Sequence, residues 1–322
     1  VAEPVSGHEA EAGRRHHSQH DETGPAGPRS LPIALMQLRS SPSLDELDAE
    51  VARVLASYPA TELIVFPELH LTNTEDGFAE GGELDAAEPL DGPRSEGLAE
   101  IARAHGIWLI PGSVVEADGD ARFNTMPVYS PAGELVASYR KVFPWRPYET
   151  CSPGNRIVSF DIPGRGRIGL TICYDAWFPE IHRQLAWDGC EAIINVVLTP
   201  TIDREQELVL ARANAIVNQV FIASVNAATP SGVGQSLIVD PEGRVRSRAA
   251  GAEPCVVTDV LRLGTVAEIR SSGTAGLNRV WQQFDGIEDA PPIDLPIYGG
   301  RISPATWRPA SVPGRSAPGA TP

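Results

Sequence analysis

The chain alternates short apolar runs with amphipathic stretches over most of its length. Residues 33–38 form an apolar run of strand length, and residues 44–56 follow with apolar positions at helical spacing behind Ser43, a suitable N-cap. A second buried strand at 62–66 ends in Pro67-Glu68. A helix over 94–105 leads to a strand at 107–115. Residues 123–129 and 134–139, joined through Pro131-Ala132-Gly133, read as a hairpin. Further strands are predicted at 167–173, 192–198, 220–225, 236–239 and 256–260, with helices at 179–187 and 204–218. No short tandem repeat is visible. Strands alternating with helices, with hairpins among them, predict one α/β domain with mixed sheets. Residues 1–30 are polar, Gly/Pro-punctuated and aperiodic, and read as a disordered extension. The domain then spans 31–285. Residues 286–322 form a Pro-rich tail, and Gly276–Phe284 reads as a C-terminal element packing on the body or on a neighbouring subunit.

Composition narrows the function classes. With 322 residues and 42% hydrophobic content the chain can bury a substantial core, and no stretch approaches the roughly 18–20 apolar residues that span a bilayer. Asp and Glu number 42 against 26 Lys and Arg, a formal charge of −16. Such a surface repels phosphate backbones and anionic lipid, so neither nucleic acid nor a membrane is expected as partner. Cys151, Cys173, Cys190 and Cys255 show no CxxC spacing, which argues against structural zinc. The N-terminus lacks the apolar centre of a signal peptide, so a reducing cytoplasm with free thiols is the expected compartment.

One feature of the basic residues points to chemistry. All 26 are arginine except Lys141. Arginine is a fixed planar fork, whereas a lysine ammonium is compact, tunable and able to donate to a developing oxyanion. Three segments supply matching groups. In GLTICYDAWFPE an apolar strand ends at Cys173 just before a helix, where turn amides would favour thiolate and face a reacting carbonyl. In LIVFPELH a strand delivers Glu68 at its C-terminal end, the edge at which open α/β sheets bind ligands. In YRKVFPWRPYE, Lys141 sits at the end of a hairpin strand. A cysteine attacking an amide needs a base that later protonates the leaving amine, and a cation or donors for the oxyanion. Glu68, Lys141 and Cys173 fill those roles. Cys190 reads as core, Asp175 and Glu180 as braces of the turn after Cys173, Arg140 as a structural pair, and His70 and His182 as surface or satisfied polar residues.

These segments resemble, in order and spacing, the nitrilase superfamily of carbon–nitrogen hydrolases, from about Pro32 to Phe284. K-x-x-P-W-x-P-x-E, from Lys141 to Glu149, and C-x-D-x-x-F-P-E look like the aliphatic amidase and formamidase branch. The resemblance implies a four-layer α-β-β-α sandwich whose subunits pair as a homo-oligomer, with no cofactor and no metal. It places the second glutamate at Glu149, the backbone N–H of Tyr174 beside Lys141 in an oxyanion hole, and Trp145 on the pocket wall. Tyr174-Asp175 replaces the Trp-Glu of true nitrilases, and Ala176-Trp177 stands where N-carbamoyl hydrolases carry arginines. Both departures favour a small-molecule amide that is neutral near the scissile bond. Leu198-Thr199-Pro200-Thr201 lacks the Gly/Tyr-rich loop of aliphatic amidases. Trp177, Leu198 and Thr199 would then line a roomier acyl site. Alternatives on the same residues are an acyltransferase, in which an amine captures the thioester, an N-carbamoyl amidohydrolase, and a non-catalytic binding subunit.

Overall fold

The computed structural model describes residues 29–72 and 87–284. One unit runs to Val280. Of a second, beginning at Trp281, only a 3-10 turn at Trp281–Phe284 is described. The first unit's strands are β1 (Ser30–Gln37), β2 (Leu63–Val65), β3 (Trp108–Ile110), β4 (Val114–Asp118), β5 (Ala121–Tyr129) and β6 (Leu135–Arg140). They continue as β7 (Ser159–Ile162), β8 (Gly166–Ile172), β9 (Ala192–Val197), β10 (Phe221–Asn226), β11 (Leu237–Val239), β12 (Val245–Arg248) and β13 (Cys255–Arg262). The first sheet has the order β13-β1-β2-β3-β5-β4 with β6 beside β5, and the second runs β12-β11-β10-β9-β8-β7. Strands β1, β2 and β3 are mutually parallel, as are β8, β9 and β10, and the remaining pairs are antiparallel.

Period-two alternation builds the layers. On β1, Leu31, Ile33 and Leu35 join Ile168, Leu170, Ile172, Ile194 and Val196 in a core between the two sheets. Ala34 and Met36, on the opposite face, pack with Leu47, Val51 and Val54 of α1 (Leu44–Ser57) and with Leu98 and Ile101 of α2 (Pro93–His105). Both faces are covered, which is why these strands read as continuous apolar runs. Ser43 caps α1 as expected, accepting from the Glu46 N–H at 3.2 Å. The second sheet carries α3 (Pro179–Trp187) and α4 (Arg204–Asn218). A Cβ at Gly169 of β8 would stand 2.9 Å from Leu185, so the missing side chain lets α3 seat directly on the strand. The layers are α-β-β-α.

Three readings are corrected. The single strand at 107–115 is two, because Gly112 adopts φ +88 and turns the chain between β3 and β4. Strands β7 and β12 and the helix α5 (Gly264–Ser272) were not anticipated; β12 carries no alternating apolar pattern to announce it. The body also begins earlier than residue 31: Arg29 pairs with Glu191 at 2.7 Å and Ser30 opens β1. Apart from those two residues, the N-terminal extension lies outside the described residues, as does the 286–322 tail. Among the described residues no helix is long and apolar enough to cross a membrane.

Candidate active site

Glu68 stands two residues beyond the ladder. The Phe66 N–H still bonds to Ile110 O at 2.9 Å, and Pro67 then ends the strand. A Cβ at Gly112 would stand 1.7 Å from the Pro67 carbonyl oxygen, so the β3–β4 turn lies directly against this segment. Leu69 takes φ +50, and its N–H donates to Ser113 Oγ at 3.0 Å. Strand end, turn and hydroxyl together fix the Glu68 backbone, and its side chain is 1% exposed.

Register brings Lys141 to it. Thr125 pairs with Arg140, so the next residues along, Asn124 and Lys141, meet at the end of the hairpin, where the Lys141 N–H bonds to Asn124 O at 2.8 Å. Lys141 Nζ donates to Glu68 Oε1 at 2.9 Å and to Glu149 Oε2 at 2.7 Å. Asn124 Nδ2 donates to both carboxylates, at 2.9 Å to Glu68 and 3.1 Å to Glu149. Glu149 Oε2 also accepts from the Trp145 N–H, and Glu68 Oε2 accepts from the Leu198 N–H at 2.9 Å. The second bond ties the first sheet to the end of β9 in the second. Burial works against the Lys141 ammonium, yet Glu68, Cys173 and Glu149 outweigh it and hold the pKa well above the ordinary lysine value. Burial, with the like charge of Glu149, lifts the Glu68 carboxyl above the ordinary range against the pull of Lys141.

Cys173 follows β8 with φ +45, an uncommon conformation for a residue with a side chain, and opens the 3-10 turn Cys173–Trp177. Asp175 braces that turn, as expected: it accepts from Tyr139 Oη at 2.7 Å, Phe143 N–H at 2.8 Å and Ile172 N–H at 3.1 Å. Burial pushes its carboxyl up to about 7, opposed by Lys141, Tyr139 and the two amides. The expectation that turn amides favour thiolate at Cys173 meets an opposing effect. Cys173 is buried, and burial, then Glu68, with Glu207 and Glu149, raises its pKa well above the ordinary thiol value despite Lys141. These effects favour the protonated thiol.

Glu68, Lys141, Trp145, Glu149, Cys173, Tyr174, Leu198 and Thr199 line one cleft. Trp177 does not line it. Its ring lies 5.9 Å from that of Tyr174. His70 and His182 are not surface residues: both are buried, and burial lowers each to about 4. Arg140 is a structural pair, bonding to Glu116 at 2.9 Å and Asp118 at 2.8 Å. Cys190 is core. Four residues escaped the sequence reading. Asn124 and Ser113 carry no signal of their own, since strand register and a turn make them important. Glu207 also lines the cleft and pairs with Arg204 at 2.9 Å. That pair did leave a trace: Arg204 and Glu207 continue the stripe Leu208, Ala211, Ala215 that α4 buries, an unusual place for charge.

Comparison with known proteins agrees with this geometry. The chain is 34% identical over 204 residues to the omega-amidase of Homo sapiens, covering 57% of this chain and 72% of that one. It is 32% identical over 209 residues to a formamidase of Nitratidesulfovibrio vulgaris, covering 63% and 61%. A solved variant of the amidase from Nesterenkonia sp. AN1, with the acetamide moiety of fluoroacetamide added covalently at its active-site cysteine, superposes with a TM-score of 0.64 at 26% identity, covering 80% of this chain and 100% of that one. The sequence profile of the carbon–nitrogen hydrolases matches residues 33–271, and with the Glu–Lys–Cys cleft between two sheets it assigns this chain to the carbon–nitrogen hydrolase family.

Proposed function

We propose that the protein hydrolyses a neutral carboxamide through a thioester on Cys173. The observation that carries this reading is the Lys141 ammonium bridging Glu68 and Glu149 in the cleft that holds the thiol. Glu68 takes the proton from Cys173 as the sulfur attacks the carbonyl carbon. A lysine ammonium has three N–H donors, and two of them serve the carboxylates. The third, with the Tyr174 N–H at the start of the 3-10 turn, holds the oxyanion. The C–N bond then breaks as Glu68 returns the proton to the leaving nitrogen. Water, deprotonated by Glu68, attacks the thioester and releases the acid, and the thiol regains its proton.

The cleft supports a substrate class. Among the described residues, every charged group lining it except Lys141 is an acid, with Asp203 and Glu207 beyond Glu68 and Glu149. An anionic acyl group would face those carboxylates, whereas Leu198, Pro200 and Trp145 offer an apolar wall. That apolar wall suits a short or medium acyl chain. The test is ammonia release from butyramide and from its carboxylate-bearing counterpart succinamic acid, with intact-mass detection of the acyl adduct on Cys173. Turnover of butyramide above that of succinamic acid, abolished in Cys173→Ala, is expected. An undiminished Cys173→Ala rate would sink the nucleophile, and a preference for the anion would sink the substrate class. Added amine nucleophiles that capture the acyl group faster than water would make the protein an acyltransferase instead.

A further inference from the structure

A second polar chain, separate from Glu68 and Lys141, reaches the thiol. Thr199 Oγ lies 3.7 Å from Cys173 Sγ, within hydrogen-bond reach for sulfur. The same hydroxyl is bonded to Glu207 Oε1 at 2.8 Å, and Glu207 Oε2 accepts from Arg204 Nη1 at 2.9 Å. Arg204 is 1% exposed and is held by the carbonyls of Gly234 and Gln235, at 3.2 Å and 3.0 Å. The Thr199 backbone is clamped as well: its N–H donates to Asn226 Oδ1 at 2.9 Å, and its carbonyl accepts from Asn226 Nδ2 at 3.2 Å.

This chain has a direction. Guanidinium only donates and an ionised carboxylate only accepts. Glu207, saturated on one oxygen by Arg204, therefore takes the single hydrogen of the Thr199 hydroxyl on the other. What the hydroxyl has left is lone pairs, and the atom beside them is the sulfur. We propose that Glu207, backed by Arg204, is a positioning residue that fixes the Thr199 hydroxyl as a one-way acceptor facing Cys173, so that the thiol keeps its proton until an amide occupies the cleft. A hydroxyl free to rotate would instead turn its hydrogen to the sulfur and stabilise thiolate in the empty site. The charged groups around the sulfur are Glu68, Lys141 and Glu149 on one side and Glu207 and Arg204 of α4 on the other. Lys141 draws the thiol toward thiolate in that balance and Arg204 adds to the pull from further away, with Glu207 among the groups opposing them. A protonated resting thiol is also poorly reactive toward oxidants and alkylating agents. The nucleophile is released only where Glu68 and a bound carbonyl act together.

The inference rests on Cys173 as the nucleophile, but its test needs no amide turnover, so its failure is distinguishable from failure of the hydrolase reading. Full-length protein is treated with 2-bromoethanol, an alkylating agent that carries no amide, across pH, and alkylation of the Cys173 peptide is followed by mass spectrometry. In Glu207→Gln the side-chain amide can donate to Thr199 Oγ and free the hydroxyl hydrogen to reach the sulfur. Alkylation at neutral pH should rise roughly tenfold, with its midpoint about one pH unit lower, the scale of one hydrogen bond gained by a charged group. Thr199→Ser, which keeps the hydroxyl, should retain the wild-type profile, and Thr199→Val, which removes the acceptor, should shift it downward. Circular dichroism establishes folding of each variant, and if Glu207→Gln does not fold the two Thr199 variants carry the test. Superimposable profiles for wild type, Glu207→Gln and Thr199→Val, or for wild type and Thr199→Val where only the latter folds, would overturn the proposal. So would an upward shift.

Discussion

Replacing Lys141 by arginine keeps a positive charge and changes its shape, which separates two contributions of this residue. Nζ lies 2.9 Å from Glu68 and 2.7 Å from Glu149 in a site where the lysine is 2% exposed. A guanidinium is planar, bulkier and carries its donors further along the side chain. It can pair with one carboxylate but cannot bridge both while leaving an N–H aimed at the oxyanion. Loss of one oxyanion donor costs about 10²–10³ in kcat, or ~3–4 kcal/mol of transition-state stabilisation. The charge itself is retained, so neither buried acid is left without a cation and the loss of thermal stability should be modest. Lys141→Met makes the contrast. It strands Glu68 and Glu149 beside each other, and breaking a buried ion pair in this way costs about 3–5 kcal/mol of stability. The assay is steady-state ammonia release from butyramide, read as kcat and KM, beside thermal unfolding of both variants. The arginine variant should lose activity with little loss of stability, and the methionine variant should lose both. A Lys141→Arg enzyme retaining more than about a tenth of wild-type kcat would refute the donor role of the ammonium.

Other outcomes follow from the same geometry. Asn124→Leu removes donors from both Glu68 and Glu149; kcat should fall about tenfold or more, since each bond to a charged group contributes ~1.5–3 kcal/mol, and butyramide kinetics measure it. Gly112→Ala needs space already held by the Pro67 carbonyl at 1.7 Å, and should displace Glu68, reducing kcat more than Gly169→Ala, whose clash at 2.9 Å is with the Leu185 side chain alone. Asp175→Ala leaves the Tyr139 hydroxyl and the Phe143 and Ile172 amides without an acceptor, and at ~1–3 kcal/mol for each buried group left unpaired it should lower the unfolding midpoint by many degrees. Glu68 acts as a base only when ionised, and burial raises its pKa above the ordinary 4.5. Activity should therefore fall as pH drops through a value above that of free glutamate, and kcat/KM profiles should show this acid limb moving further up in Asn124→Leu, where the carboxylate has lost a donor.

What could be read from the chain alone was whatever local sequence encodes. Apolar runs marked the strands because both faces of β1, β2, β8 and β9 are covered, and Glu68 and Cys173 stood out because each follows such a run within two residues. Lys141 was visible for a compositional reason, being the one lysine among arginines. The family pattern added Glu149, which local spacing alone would have left as an ordinary acid. The tertiary structure decided the rest, because those contacts join positions far apart along the chain. Asn124 reaches Glu68 across 56 residues only through the β5–β6 register, and Leu198 reaches it across 130 only because two sheets stack with β2 and β9 ending at the same place. Burial and the surrounding carboxylates favour the protonated thiol of Cys173, opposed by a lysine already shared by two acids, whereas its turn had pointed to thiolate. The pattern along the chain marked a helix over 204–218 without assigning Arg204 and Glu207 to its inner face. Only the packing of α4 against β10 and the Cys173 turn put that pair beside Thr199 and, through it, beside the nucleophile.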